Sequence, residues 1–323
     1  MRLFRVRDAD LLGMLVCMLK SNDDQWVARG ARIVGAWVAG NHNIQSLVLE
    51  SGVISLLVDC LRCGSSIQKL HAGMALMHVS FQNRVTSMQV LKDGALLAVP
   101  SLLNARALVV RVVGAGIITH LLGLFDYSWG TNVGIFKALV DLMNQCEDYA
   151  GIVAAAAIFE LVHRGKVELH RLTELPVIPR VLELILLCPY PGFRRGAHRF
   201  LVQWAKHIAA TQAMRHGAGK VCQEAIKRLL HAMTLHVTSI NEIAIHVIWI
   251  LLPMNQHYKW VVPSLEKFER LSMDATVGDS GRSMCREVVS YARKIDMEHR
   301  TRLQVFLTTL GVCAVLKIIK IFK

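Results

Sequence analysis

Three short stretches carry residue types that could do chemistry. Cys60 and Cys63 stand three apart, the spacing of one half of a zinc site. A structural zinc needs a second pair of ligands at matching spacing. His71 and His78, seven apart in a helical stretch, do not supply it. Gly278-Asp279-Ser280-Gly281 has the outline of a serine-nucleophile loop. That chemistry needs separate His and Asp partners on a suitable scaffold. Here Arg282 follows, the flanks read as helical and strand alternation is missing, so a flexible polar loop is expected. Gly217-Ala218-Gly219-Lys220 has the outline of a phosphate loop, but Met214 stands where the first Gly belongs and Val221 where a hydroxyl would hold Mg²⁺. These glycines read instead as helix-terminal turns. The fourteen His include no HExxH pair. No catalytic residue, no metal site and no cofactor is therefore expected.

Positive charge is the other chemical signal. Thirty-seven Lys and Arg oppose 24 Asp and Glu, for a net charge of +13 and a pI near 9.6. The densest basic cluster is Arg194, Arg195, His198, Arg199, Lys206 and His207. A nucleic-acid groove would pair such charges with exposed aromatic rings. Only Phe193, Phe200 and Trp204 lie nearby, and their helical spacing makes them core residues, so nucleic acid is not the expected partner.

The elements that must position these residues are helices in series. The chain has 323 residues, 53% of them apolar and only 19% charged, with mean hydropathy +0.39. That composition excludes a disordered chain and a disulfide-framework domain. No charge-free window of about 20 apolar residues occurs before the C-terminus. Helices buried on several sides explain the hydropathy. Asn41, Val48, Leu49 and Gly52 recur as Asn83, Val90, Leu91 and Gly94, all at one constant offset. The same offset lays Leu11–Val16 on Val53–Val58, and Ala28, Ala31, Val34 and Trp37 on Leu70, Gly73, Leu76 and Val79. Each period reads as three helices. The first runs about 43–50 and turns at Ser51-Gly52, where Gly can take a left-handed conformation. The second runs about 53–63, and Gly64-Ser65-Ser66 then caps a third over about 67–81. Residues from about 9 read as a second-type helix with no first helix ahead, which fits either an abbreviated terminal unit or a longer protein. One unit cannot bury its own apolar faces, so units stack.

The segments Ser51-Gly52-Val53-Ile54-Ser55-Leu56-Leu57-Val58 and Asp93-Gly94-Ala95-Leu96 resemble the corner and second helix of armadillo-repeat proteins. Weaker matches follow at Gly116–Leu122 and Pro176–Leu184. The resemblance implies an all-α, right-handed α-α superhelix of the armadillo/HEAT type over residues 1–300. It is clearest over 9–104 and degenerate after about 210. The resemblance further implies that third helices line a concave groove that holds extended peptides. Importin-type members carry Trp and Asn four apart on that helix. Arg32 and Ala36, Met74 and His78, and Lys137 and Asp141 take those places here, so an import-receptor role is not implied. The groove rows instead hold Arg29, Arg32, His71, His78, Lys137, Asp141, Arg195 and His198, which are mostly basic. An acidic or phosphorylated segment of a partner protein is the expected occupant. The expected function is a non-enzymatic interaction scaffold. The alternatives are a substrate-receptor or regulatory subunit of a ubiquitin ligase or kinase assembly, and a membrane-tethered adaptor.

Residues 301–323 form the other boundary feature. Leu303 to Leu316 is apolar, and Lys317, Lys320 and Lys323 close the chain. A last helix packed on the solenoid end is expected, with a membrane tail through 303–323 as the alternative. Arg2, Arg5 and Arg7 precede an apolar run as in a secretory signal, but Asp8 and Asp10 interrupt it and no small-residue cleavage site follows. Most of the eight Cys sit in apolar helical runs and read as buried thiols. A cytoplasmic location is expected, with the nucleus as a second.

Overall fold

The protein is described by a computed structural model covering residues 2–122, 133–146, 149–165, 172, 176–188, 190–211, 218–233, 238–251, 261, 264–274, 277–294 and 297. Every regular element among the described residues is a helix. The chain divides into two compact units, Met1–Glu168 and Leu169–Lys323.

In the first unit, α1 (Arg2–Leu19) and α2 (Asp24–Val38) precede two complete three-helix periods. These are α3 (His42–Glu50), α4 (Val53–Cys63) and α5 (Ser66–Ser80), then α6 (Arg84–Lys92), α7 (Ala95–Leu103) and α8 (Leu108–Leu122). Each helix of the second set begins one full period after its counterpart in the first, as the sequence repeat demands. The corners work as expected. Gly52 and Gly94 adopt φ of 73° and 89°, a region where a Cβ costs about 1 kcal/mol or more. The helix starts repeat too. Asn41 accepts the backbone N–H of Ile44, and Asn83, its counterpart in the next period, accepts those of Val85 and Thr86. Asp23 does the same for α2, accepting from Gln25 and Trp26. The Ser65 N–H donates to Gln68 Oε1 at 2.8 Å and closes the start of α5.

The far end of α5 is finished by its neighbours. A helix leaves its last four carbonyls without intrahelical partners. Gln45 on α3 donates Nε2 to the carbonyls of His78 (3.1 Å) and Phe81 (3.2 Å). From α6, the Thr86 hydroxyl donates to Val79 O at 2.6 Å and the Ser87 hydroxyl to Ser80 O at 2.9 Å. Gln45, Thr86 and Ser87 are all buried, so polar side chains inside this unit are spent on backbone groups.

Third-type helices pack side by side through small residues. A Cβ on Gly35 would sit 3.2 Å from the Ala75 Cα, one on Gly73 2.1 Å from the Val113 Cγ1, and one on Gly116 2.7 Å from the Met77 Sδ. These contacts join α2 to α5 and α5 to α8. The last pair of the unit is α9 (Val133–Gln145) and α10 (Tyr149–His163). α9 packs on α7 and α10 on α8, so α9 continues the second-type row and α10 the third-type row.

This arrangement corrects two expectations. Gly116 is no corner; it lies inside α8, with no positive φ, and is small because Met77 lies against it. Gly94 and Gly116 are therefore not successive corners, and the next second-type helix starts at Val133. Lys137 and Asp141 consequently sit on α9, not on a third helix.

The second unit holds α11 (Val177–Leu187), α12 (Pro191–Thr211), α13 (Ala218–Ala232), α14 (Thr238–Leu251), α15 (Leu265–Met273) and α16 (279–294). α11 packs on α13 and α12 on α14, the same two-row alternation. The match at Pro176–Leu184 holds, since Val177 opens α11 behind Pro176. Phe193, Phe200 and Trp204 are core residues of α12, as their spacing implied. Glu183 on α11 binds Arg180 at 2.8 Å and is also paired with Arg228 of α13, which reaches Glu224 at 2.7 Å. Asp279, Ser280 and Gly281 form the first turn of α16, not a flexible loop. Of Gly217-Ala218-Gly219-Lys220, Gly217 lies outside the described residues and the other three open α13. Cys188, Cys222 and Cys285 are buried thiols, Cys60 and Cys146 are half-buried, and Cys17 and Cys63 are exposed, so fewer of the described cysteines are buried than expected. Residues 301–323 and Cys313 lie outside the described residues, as does the expectation placed on them. No single described helix is long and apolar enough to cross a membrane.

Candidate partner-binding face

The third-type helices of the first unit, α2, α5, α8 and α10, present one continuous face. Residues at i, i+4, i+7 and i+11 of an α-helix lie within about 60° of one another. On α5 these are Ile67, His71, Met74 and His78, all exposed or half-buried. The repeat offset brings Arg29, Arg32 and Ala36 of α2 beside them, and all three are exposed. The alignment is physical as well as formal. Burial holds the His71 imidazole below its ordinary pKa, and the charge of Arg32 across the helix boundary lowers it further. One turn from the end of α5, His78 faces His120 of α8. Burial lowers the His120 pKa; a hydrogen bond with the Gly116 carbonyl at 3.0 Å opposes that shift, and His78 adds to it.

Over α2, α5 and α8 the sign of this face is fixed by what is missing from the helices. α5 and α8 contain no Asp or Glu. The acid of α2, Asp24, stands at its first residue and accepts the Gln68 amide at 3.1 Å. Among the described residues no carboxylate forms an ion pair with Arg29 or Arg32. The Arg29 guanidinium stacks over the Trp26 ring, 5.9 Å from its centroid. Together, Arg29, Arg32, His71, His78 and His120 form a strip on closely packed helices in which two fixed guanidinium charges stand beside three imidazoles that can donate hydrogen bonds. Such a strip holds anionic groups by charge and by donated hydrogen bonds.

The nominated residues therefore separate into three places. Arg29, Arg32, His71 and His78 come together on this face. Lys137 and Asp141 are exposed one turn apart on α9, in the other row. Arg195 and His198 belong to α12 in the second unit, beside a cleft of about 230 Å³ that Arg194, Ser239 and Glu242 also line. His198 Nε2 lies 3.1 Å from His246 Nδ1 of α14, with the rings edge to face at 5.2 Å. Burial lowers the pKa of both imidazoles, and His198 and Lys206 lower that of His246 further. Next along α14, Trp249 Nε1 donates to Glu287 of α16 at 2.8 Å. Sequence reasoning missed His120, although it stands one period after His78; taking 116–122 for a corner hid it. Among the described residues no group of three or more His, Cys, Asp or Glu could hold a metal ion, and Cys60 and Cys63 have no further ligands beside them.

No family model and no curated protein sequence matches the chain. Solved structures do. An engineered protein from a structural-genomics consortium aligns over 87% of this chain and 68% of its own, with a TM-score of 0.63 and 14% identity. A designed armadillo repeat protein aligns over 74% of this chain and 99% of its own, with a TM-score of 0.54 and 19% identity. Another designed armadillo repeat protein, in complex with the peptide (KR)4, covers the same shares with a TM-score of 0.53 and 17% identity. The fold is thus an armadillo-like helical repeat.

Proposed function

We propose that this armadillo-like chain is a non-enzymatic scaffold that holds an extended acidic segment of a partner protein across α2, α5 and α8. The observation that carries the reading is the strip of Arg29, Arg32, His71, His78 and His120 on helices whose exposed faces bring no carboxylate to it. The designed relative solved with (KR)4 bound offers a useful contrast, because its peptide is basic. A basic strip on the same kind of scaffold suits a ligand of the opposite sign, and a phosphorylated segment would meet the same guanidinium groups. Nothing among the described residues favours a ligase or kinase subunit or a membrane tether.

The test is fluorescence polarisation of the full chain with labelled (ED)4 and (KR)4 peptides. The acidic peptide should bind and the basic one should not. Affinity should fall as salt rises from about 0.05 to 0.5 M, because exposed charges are screened over a few ångströms at the upper value. The double reversal R29E/R32E should weaken (ED)4 binding at least about tenfold, since two exposed contacts of up to about 1 kcal/mol each turn repulsive. Equal binding of both peptides, or an unchanged affinity in the double variant, defeats the proposal.

A further inference from the structure

The same face changes character along the repeat. Its α2 positions are Arg29, Arg32 and Ala36, and its α5 positions are Ile67, His71, Met74 and His78. On α8 the corresponding positions are Val109, Val113, Gly116 and His120, of which Val113 and Gly116 are buried, so no charge takes the place of the basic pair of α2. Leu108 and Val109 are 46% and 50% exposed there, although both are aliphatic. The one arginine of α8, Arg111, directs its guanidinium to Gln145 Oε1 of α9 at 2.9 Å. On α10 the exposed or half-buried side carries Tyr149, Val153, Ala156 and Glu160, with Tyr149 66% exposed. Four neighbouring helices therefore run from two arginines, through histidine and methionine, to exposed Val and Tyr with one carboxylate.

We infer that the bound segment is amphipathic along its length and lies in one polarity, its acidic end over α2 and α5 and its apolar end over α8 and α10. This rests on the scaffold reading above and specifies its partner. Charge complementarity fixes the acidic end at Arg29 and Arg32. Glu160 repels a carboxylate at the other end, and an aliphatic or aromatic side chain removes Leu108, Val109 and Tyr149 from water. Helices pack roughly 8–10 Å apart, so three steps span roughly 24–30 Å. An extended chain covers that in roughly eight or nine residues at about 3.3 Å each. A short linear segment with acids clustered at one end and apolar residues at the other fits this length.

Three labelled ten-residue peptides test the inference against the full chain: an acidic one, a block peptide with five Asp or Glu at one end and five Leu or Val at the other, and an interleaved peptide of the same composition. The block peptide should bind about tenfold tighter than the interleaved one, the factor expected when one or two apolar side chains are buried in register. V109S/Y149S should reduce block binding to the level of the acidic peptide and leave the acidic peptide unchanged. R29E/R32E should weaken both. A photo-crosslinker on the apolar end should label 108–122 and 149–163, and one on the acidic end 24–38 and 66–80. All substituted side chains are exposed, and circular dichroism of the variants should match the parent. If block and interleaved peptides bind equally, or the crosslinks are reversed or scattered, the polarity is wrong while the scaffold reading stands. If even the acidic peptide fails to bind, the scaffold reading falls and takes the polarity with it. If a single-stranded RNA ten-mer displaces the block peptide as well as unlabelled block peptide does, the face selects polyanions, and the inference is overturned.

Discussion

Replacing Gln45 by leucine tests how the repeat is held. Gln45 is 0% exposed and makes every hydrogen bond its amide can make. Nε2 donates to His78 O and Phe81 O, Asn83 Nδ2 donates to Oε1 at 3.0 Å, and His42 Nδ1 lies 2.9 Å from the same oxygen. Leucine fills nearly the same volume and removes all four. Two of the losses are mild. Asn83 is half-buried and His42 exposed, so water can replace their bonds. His78 O keeps the Phe81 N–H at 3.3 Å. What remains is the loss of two amide–carbonyl bonds at about 1 to 1.5 kcal/mol each, offset by up to about 1 kcal/mol of added apolar burial. The expected destabilisation is about 2 kcal/mol, and it is local. A chain of two units need not unfold in one step, so a single midpoint would blur the effect. Native-state hydrogen exchange resolves it. Opening free energies in the last turn of α5 and the first turn of α6 should fall by about 2 kcal/mol, and amides of 218–251 should not change. Thr86→Val, which removes the bond to Val79 O, should cost about 1 kcal/mol in the same amides. A change below about 0.5 kcal/mol for Gln45→Leu, or an equal fall in both units, would refute the view that first-helix side chains finish the third helix.

Gly73→Ala should destabilise the first unit by about 1 to 3 kcal/mol in urea titration, because its methyl meets Val113 Cγ1 at 2.1 Å between two packed helices. Gly52→Ala should cost about 1 kcal/mol through its φ of 73°, with no effect on peptide binding. His71, His120, His198 and His246 all have folded pKa values below the ordinary 6.5, so their contribution to stability is complete above about pH 6.5. That contribution should be lost as pH falls from 6.5 through the lower folded values, and the loss should shrink in H198Q/H246Q. Binding of an acidic peptide should show the opposite trend, strengthening as pH falls from 7.5 to 6, because an anion favours charged His71 and His120; H71Q/H120Q should flatten that slope in polarisation assays.

The first hundred residues were legible because one period fixes everything in them. The regular recurrence of Asn41 and Gly52 as Asn83 and Gly94 located caps and corners together, and α4 falls on the expected 53–63. Gly116 failed for a physical reason. A glycine serves a left-handed turn or a close helix contact, and sequence alone does not separate the two uses. Misplacing that corner moved Lys137 and Asp141 onto the wrong row and concealed His120. The His198–His246 contact falls off the period and joins two helices whose connection has its own length. Nothing in the spacing of the basic residues announced it.

The two kinds of residue on the third helices do separable work. Gly35, Gly73 and Gly116 set how closely the helices approach, and their neighbours Ala75, Val113 and Met77 are buried or half-buried. Arg29, Arg32 and Val109 are exposed and His71 half-buried, and among the described residues no hydrogen bond or ion pair from them joins two helices. Substituting the first set shifts the spacing of the whole face and must disturb stability and binding together. Substituting the second set changes what the face recognises at almost no cost to the fold. The partner's character is therefore written in the row of exposed side chains. That is why a face passing from Arg29 to Tyr149 over four neighbouring helices argues for a ligand that changes along its own length.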